Sequence, residues 1–269
     1  MDIFELCKWL GVQEEVTDEI AVIDKDYSHE AAAGIWNKFY DASTWKEGIE
    51  ELRDYLGEDE RGLKALTCVL HCTLHTYGLY EDKGIPEEIF TATFGFIPRF
   101  LEWHKSACGV YGFDRTWWIP RQLALKEFRI GTLEYEMVEE DGKPQVSIHI
   151  PSDAVLEKQA LSASYEEAKN FLKTFYPAYE NAEFVCDSWL LAPGLRECLD
   201  AGSRILYFQS CFEVLREKED EKEFMEWISF RTDLPYEELP EHTSLQRRVK
   251  RYLLAGGKIG WAFGRLKAF

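Results

Sequence analysis

Alternation of apolar and polar residues is clearest over Phe128–Pro151, FRIGTLEYEMVEEDGKPQVSIHIP. Two strands meet there at Asp141-Gly142, a dipeptide whose two positions both tolerate positive φ and so suit a two-residue hairpin turn. With those two residues in the turn, Glu140 faces Lys143, and outward from it Met137 faces Val146, Tyr135 faces Ile148 and Leu133 faces Ile150. All of these apolar residues fall on one face. The other face receives Glu136 opposite Ser147 and Glu134 opposite His149. A strand has a period of two, and a slip of one residue would exchange the faces. Upstream, Phe128 and Ile130 fall on the frame of Glu134, and Gly131 sits at the change of parity, which predicts a bulge or a close backbone approach.

Before this hairpin the pattern is helical. Asp2 is a cap for a helix ending at Gly11, Ser28 for His29–Tyr40, and Thr44 with Glu47 has capping-box spacing for a helix closed by Gly57. Arg61–Tyr77 reads as a longer apolar helix, Pro86 opens the next, and Phe113–Leu125 is aromatic-rich. After the hairpin the elements mix. A loop at Ser152–Leu161 precedes a helix Tyr165–Tyr176 capped by Ser164, then a buried strand Phe184–Leu191 and a short helix Pro193–Ala201. Arg204–Val214 reads as an apolar strand, Arg216–Glu223 as a charged turn or helix start, and Phe224–Phe230 as either helix or strand. Thr243 caps Ser244–Leu254, which Gly256-Gly257 ends before a last strand Ile259–Leu266. The fold class expected is α+β, with an all-helical half over residues 1–125 and a mixed α/β domain over residues 126–269.

Composition narrows the function classes. A 46% hydrophobic content over 269 residues is enough to build packed cores. No long apolar run or leader-like start is present, and seven cysteines without a CxxC pair do not form a disulfide framework, so a soluble, cytoplasmic protein is expected. The net charge of −18 argues against nucleic acid and against a membrane surface as partner. Thr243–Phe269 is the exception, with seven Lys and Arg and no acidic residue. That distribution suits a small polyanion, and equally a basic helix packed against an acidic neighbour.

Three groups of residues carry candidate chemistry. The cross-strand Glu134 and His149 offer an acid and a base side by side; a solvated sheet face with an ordinary Glu–His pair is the alternative. Asp187 interrupts the strand FVCDSWLL, either as a base or orienting partner for His149 or as a strand-end cap. The helix start at Thr243 and Ser244, with Arg247, Arg248 and Arg251, presents unpaired N–H groups, hydroxyls and guanidinium forks to a phosphate. It leads through Gly257 to Gly260, where the absence of a side chain lets a ligand approach the backbone. Cys68, His71, Cys72 and His75 form one helical stripe, but at 1.5 Å per residue it is about 10 Å long, too long for one tetrahedral ion, and no metal is expected. The nucleophile elbow, Walker loop, dinucleotide fingerprint and HExxH motifs are absent from the sequence.

FDRTWWIPRQLALKEFRIGTLEYE, VSIHIP, CDSWLL, YFQSCFEV and LPEHTSLQRRVKRYLLAGGKIGWAFG, in that order, resemble a bacterial family called acyltransferase domain-containing proteins. Its members pair a helical N-acyltransferase N-terminal domain with a GNAT-like C-terminal domain. The resemblance implies acyl-CoA as co-substrate and transfer of its acyl group to a small amine-bearing acceptor, with a non-catalytic metabolite-binding GNAT-like protein as the alternative. Such enzymes hold the CoA pyrophosphate in an Arg/Gln-x-x-Gly-x-Gly/Ala turn that opens a helix. Here Gly256-Gly257-Lys258-Ile259-Gly260 ends a helix instead, so the Thr243 helix start and its arginines are the expected substitute.

Overall fold

The computed structural model describes residues 1–267 and divides into two compact units, Met1–Arg129 and Ile130–Phe269. The first unit is helical: α1 (Ile3–Leu10), α2 (Glu14–Ile23), α3 (Ala33–Trp36), α4 (Trp45–Leu56), α5 (Leu63–Lys83), α6 (Glu87–Phe94), α7 (Phe96–Cys108) and α8 (Pro120–Leu123). Asp2 closes a capping box with Glu5, and Gly11 takes the left-handed conformation that ends α1. α5 is the central helix, burying Leu66, Val69 and Leu70 against its neighbours. His29–Tyr40 is less regular than expected, a turn followed by α3 and a 3₁₀ segment Asn37–Tyr40. The Thr44 box does not form either, because the Thr44 hydroxyl donates back to the carbonyl of Lys38 at 3.0 Å.

The strands form one mixed sheet, β1 (Glu127–Ile130), β2 (Leu133–Glu140), β3 (Lys143–His149), β4 (Glu183–Ser188), β5 (Phe212–Lys218) and β6 (Trp261–Leu266), in the order β1-β2-β3-β4-β6-β5. Between them run α9 (Lys158–Phe175), α10 (Arg204–Ser210), α11 (Phe224–Ser229) and α12 (Ser244–Leu254). The helical half followed by a mixed-sheet domain is the α+β class expected. In the β2–β3 hairpin Asp141 and Gly142 have φ of 53° and 72°, and seven consecutive pairs run from Glu140↔Lys143 to Glu134↔His149. Tyr135 and Phe184 meet edge to face on the buried side.

Three expectations in this half are corrected. Arg204–Val214 is not a strand. Arg204–Ser210 is helical, started by the Ser203 hydroxyl accepting from the Ile205 N–H, and β5 begins only at Phe212. Ser164 does not cap a helix, because α9 starts at Lys158 and Ser164 lies buried inside it. Its hydroxyl bridges the Ile130 carbonyl at 2.5 Å and the Tyr135 hydroxyl at 2.7 Å. Gly131 has a φ of 62° and also makes room for this contact, since a Cβ there would stand 3.0–3.1 Å from the Ser164 backbone and side chain. Charge-dense Arg216–Lys218 continues β5, while Phe224–Ser229 is helix.

Candidate active site

β3 and β4 run parallel, paired at Gln145↔Glu183, Val146↔Phe184 and Ser147↔Val185. Their ladder stops there although both strands continue, so the two chains part. His149 and Asp187 each lie two residues past the last pair, on the same face as Ser147 and Val185. The site residues from the two strands therefore stand at the mouth of this opening. β6 supports the other side of β4, with Asp187↔Phe263, and β5 supports β6, with Arg216↔Phe263.

The face carrying His149 is not solvated at its β2 end, where Glu134 and Glu136 are only 4% and 9% exposed. Glu134 is the direct cross-strand neighbour of His149, yet the hydrogen bond at His149 Nε2 is to Glu136 Oε2, at 2.9 Å. That contact is diagonal: Glu136 faces Ser147 and reaches along the strand to the ring. Sequence register identifies both acids on this face but ranks only directly opposed pairs, which is why Glu136 was missed. The available signal was its i, i+2 relation to Glu134.

Asp187 is exposed, but its carboxyl is held above the usual carboxylate range. Desolvation is the largest cause; the Trp261 indole hydrogen bond and the charges of Arg216, His149 and Lys218 oppose it. The cations are themselves held over aromatic rings, Arg216 at 4.5 Å from the Phe263 centroid and Lys218 at 5.2 Å from that of Trp261. A raised carboxylate pKa means that the native state keeps a proton the unfolded chain has already lost. Its favourable contribution is present below the ordinary Asp range and is lost as pH rises through the raised value. Asp187→Asn should therefore raise Tm at pH 7, with the gain shrinking as pH falls through the carboxylate range. Thermal melts of the two proteins across pH check this, and a gain independent of pH would contradict it.

On α12, Thr243 forms a capping box with Gln246, its hydroxyl accepting from the Gln246 N–H at 3.1 Å. Ser244 and Arg251 are exposed. Arg247 donates to the carbonyls of Glu241 and His242, and Arg248 pairs with Asp200 at 2.6 Å. Both arginines thus already have protein partners. α12 packs on the 3₁₀ segment Pro193–Cys198 that follows β4, burying Val249 and Leu253. The glycines have structural occupants: the Tyr252 ring lies 2.5 Å from where a Gly257 Cβ would be, and the Lys218 carbonyl 2.6 Å from that of Gly260. Gly257 also lines a cleft of about 290 Å³ with Gly194, Glu217, Tyr252, Lys258 and Trp261.

In the helical unit, Cys68 and Cys72 are buried on α5, and His71 Nε2 lies 2.7 Å from Asp24 Oδ1. His29 stacks between Trp36 and His71, at ring distances of 4.5 and 4.9 Å. The Cys68 thiol is pulled down to about 5 by hydrogen bonding first to Cys72, then to His29 and Tyr27, against the effect of burial. This stripe thus belongs to a packed aromatic and sulfur cluster. His104 lies apart from it, with Nδ1 2.8 Å from the Val110 carbonyl.

Among solved structures, an acyltransferase in complex with decanoyl-CoA is 22% identical, with a TM-score of 0.78 over 98% of this chain and 87% of that one. A mutant acyltransferase in complex with octanoyl-CoA is 21% identical, with a TM-score of 0.80 over the same shares. A third, an acyltransferase in complex with decanoyl-CoA and teicoplanin, is 19% identical, with a TM-score of 0.70 over 99% of this chain and 100% of that one. At these identities the likeness establishes the fold. No curated protein matches the chain. The model for the N-acyltransferase N-terminal domain matches residues 1–125, and that for the GNAT-like C-terminal domain matches residues 127–266. Together the two models cover the helical unit and the unit that carries most of the sheet, and the chain belongs to the family that joins an N-acyltransferase N-terminal domain to a GNAT-like C-terminal domain.

Proposed function

We propose that this protein is an acyl-CoA-dependent N-acyltransferase that acylates the amine of a small-molecule acceptor. The observation that carries the reading is the parting of β3 and β4 after Ser147 and Val185, with His149 and Asp187 on the two diverging ends. Neighbouring folds bound to octanoyl-CoA and decanoyl-CoA support acyl-CoA as the co-substrate. The opening suits an extended thioester arm, because diverging strands turn backbone N–H and C=O groups toward each other without pairing them. For the phosphate end the start of α12 offers exposed Ser244 and Arg251, with Thr243, Arg247 and Arg248 joining only by exchanging their present protein partners. Gly257 leaves room for the Tyr252 ring of α12, and Gly260 for the backbone at the end of β5.

In the reaction the amine nitrogen attacks the thioester carbonyl carbon, and the carbonyl oxygen takes up the negative charge. Backbone N–H groups on the diverging strands stabilise that oxyanion. His149 accepts the proton lost by the amine, with Glu134 and Asp187 as flanking acids, and the tetrahedral intermediate collapses by breaking the C–S bond. Holding both substrates at one opening supplies the proximity contribution. The acidic surface favours a cationic amine.

One feature favours a metabolite-binding protein without catalysis: Pro151–Glu157, leading from β3 into α9, contains no glycine and carries Asp153 and Glu157. Turnover separates the readings. Octanoyl-CoA and decanoyl-CoA are incubated with a panel of primary amines, and CoA thiol release is followed with a chromogenic disulfide. Acceptor-dependent release is expected. Stabilisation of the fold by these thioesters without release from any acceptor would favour the binding protein, and neither effect would overturn acyl-CoA recognition itself.

A further inference from the structure

We infer that Glu136 is the positioning residue of His149. The inference rests on the proposed acyl transfer for its kinetic consequence and on the β2–β3 geometry for everything else. Seven consecutive pairs, closed by a turn with both central residues at positive φ, fix the two strands residue by residue. Cα of Glu136 is therefore held relative to Cα of His149 by the ladder itself. The carboxylate meets Nε2 at 2.9 Å, and the two side chains are 11% and 20% exposed. A charge-assisted bond in so little water is strong and directional.

The chemistry follows from the ring's two nitrogens. A carboxylate only accepts, so at Nε2 it selects the tautomer that carries the proton there. When that neutral ring takes a second proton from the attacking amine, the proton necessarily goes to Nδ1, and the carboxylate offsets the new positive charge. Glu134 is the directly opposed acid, and Asp187 lies across the opening on β4. The diagonal acid is thus the one that fixes the proton of the imidazole.

The test uses the full chain with Glu136→Gln and Glu136→Leu. Gln keeps an acceptor near Nε2, whereas Leu has the bulk without one. We expect kcat for octanoyl-CoA turnover to fall by about 10- to 100-fold in the Leu variant, with KM for the thioester little changed and a smaller loss in the Gln variant, which keeps an acceptor but not the charge. Nitrogen-15 spectra of labelled histidine, with His149 assigned by its loss in His149→Gln, should give the Nε2–H tautomer in the wild-type and Gln proteins and a mixture in Leu. Equal losses in Gln and Leu, or an unchanged tautomer in Leu, would overturn the role. If the wild-type chain turns over no thioester, the acyl-transfer reading fails while the tautomer spectra still decide the positioning role. If the Leu variant does not fold, the Gln spectrum decides: an Nδ1–H ring there overturns the inference.

Discussion

Replacing His149 with alanine should lower kcat for acyl-CoA turnover by about 10²- to 10⁴-fold, the range a positioned general base contributes. The loss should fall on kcat, because nothing in the proposed binding of the thioester runs through the imidazole. The fold should survive, since His149 ends β3 and Val146 and Ile148, on the opposite face, carry its core packing. Removing the ring leaves Glu136, a nearly buried carboxylate, without the partner at 2.9 Å, so some stability is lost as well. A single-turnover measurement with saturating octanoyl-CoA separates the effects, and the melting curve reports folding independently. Turnover within about threefold of wild type would remove proton abstraction by His149 from the mechanism. Glu134→Ala is the companion variant: it removes the directly opposed acid and leaves the 2.9 Å contact between Glu136 and Nε2 in place.

That contrast also marks how far the sequence carried. The hairpin was legible because its information is local: Asp141-Gly142 accepts the required φ values, and alternation over the flanking residues fixes the register. The Thr243 helix was legible for the same reason, its cap and its last residue both standing where the polar and apolar pattern put them. RILYFQSCFEV misled because a short apolar run fits a buried strand and a buried helix equally, and the cap that settles it, Ser203, precedes the run. Ser164 misled in the opposite way, since a serine's preference for a cap is weaker than two buried hydrogen bonds to the sheet. His149 beside Asp187 was legible, but the other partners of Asp187, namely Trp261, Arg216 and Lys218, were beyond reading. They come from β6, paired to β4 across more than 70 residues of intervening chain, and from β5, which reaches the site only through β6, and a register over that separation leaves no local mark.

Gly260→Ala should destabilise the C-terminal unit by about 2–4 kcal/mol, combining roughly 1–2 kcal/mol for a left-handed non-glycine residue with the overlap its Cβ makes. The φ of Gly260 is +75°, and the added atom would sit 2.6 Å from the Lys218 carbonyl oxygen and 2.7 Å from the Glu219 Cα. Both are backbone atoms at the end of β5, so relief requires moving the strand that pairs with β6 at Lys218↔Trp261. Gly264 is the control, because it lies within β6, four residues on, without a positive φ, and its Cβ would meet its nearest neighbours at 3.1 Å. Gly264→Ala should therefore cost less, under about 2 kcal/mol, with a side-chain shift of Leu191 absorbing part of it. Urea unfolding of the two variants gives the comparison directly. The result bears on function because a small-residue strand admits two explanations, room for a ligand or room for the chain. If Gly260→Ala weakens acyl-CoA binding while leaving the unfolding midpoint unchanged, that space belongs to the co-substrate; loss of stability with affinity intact in the folded fraction assigns it to β5.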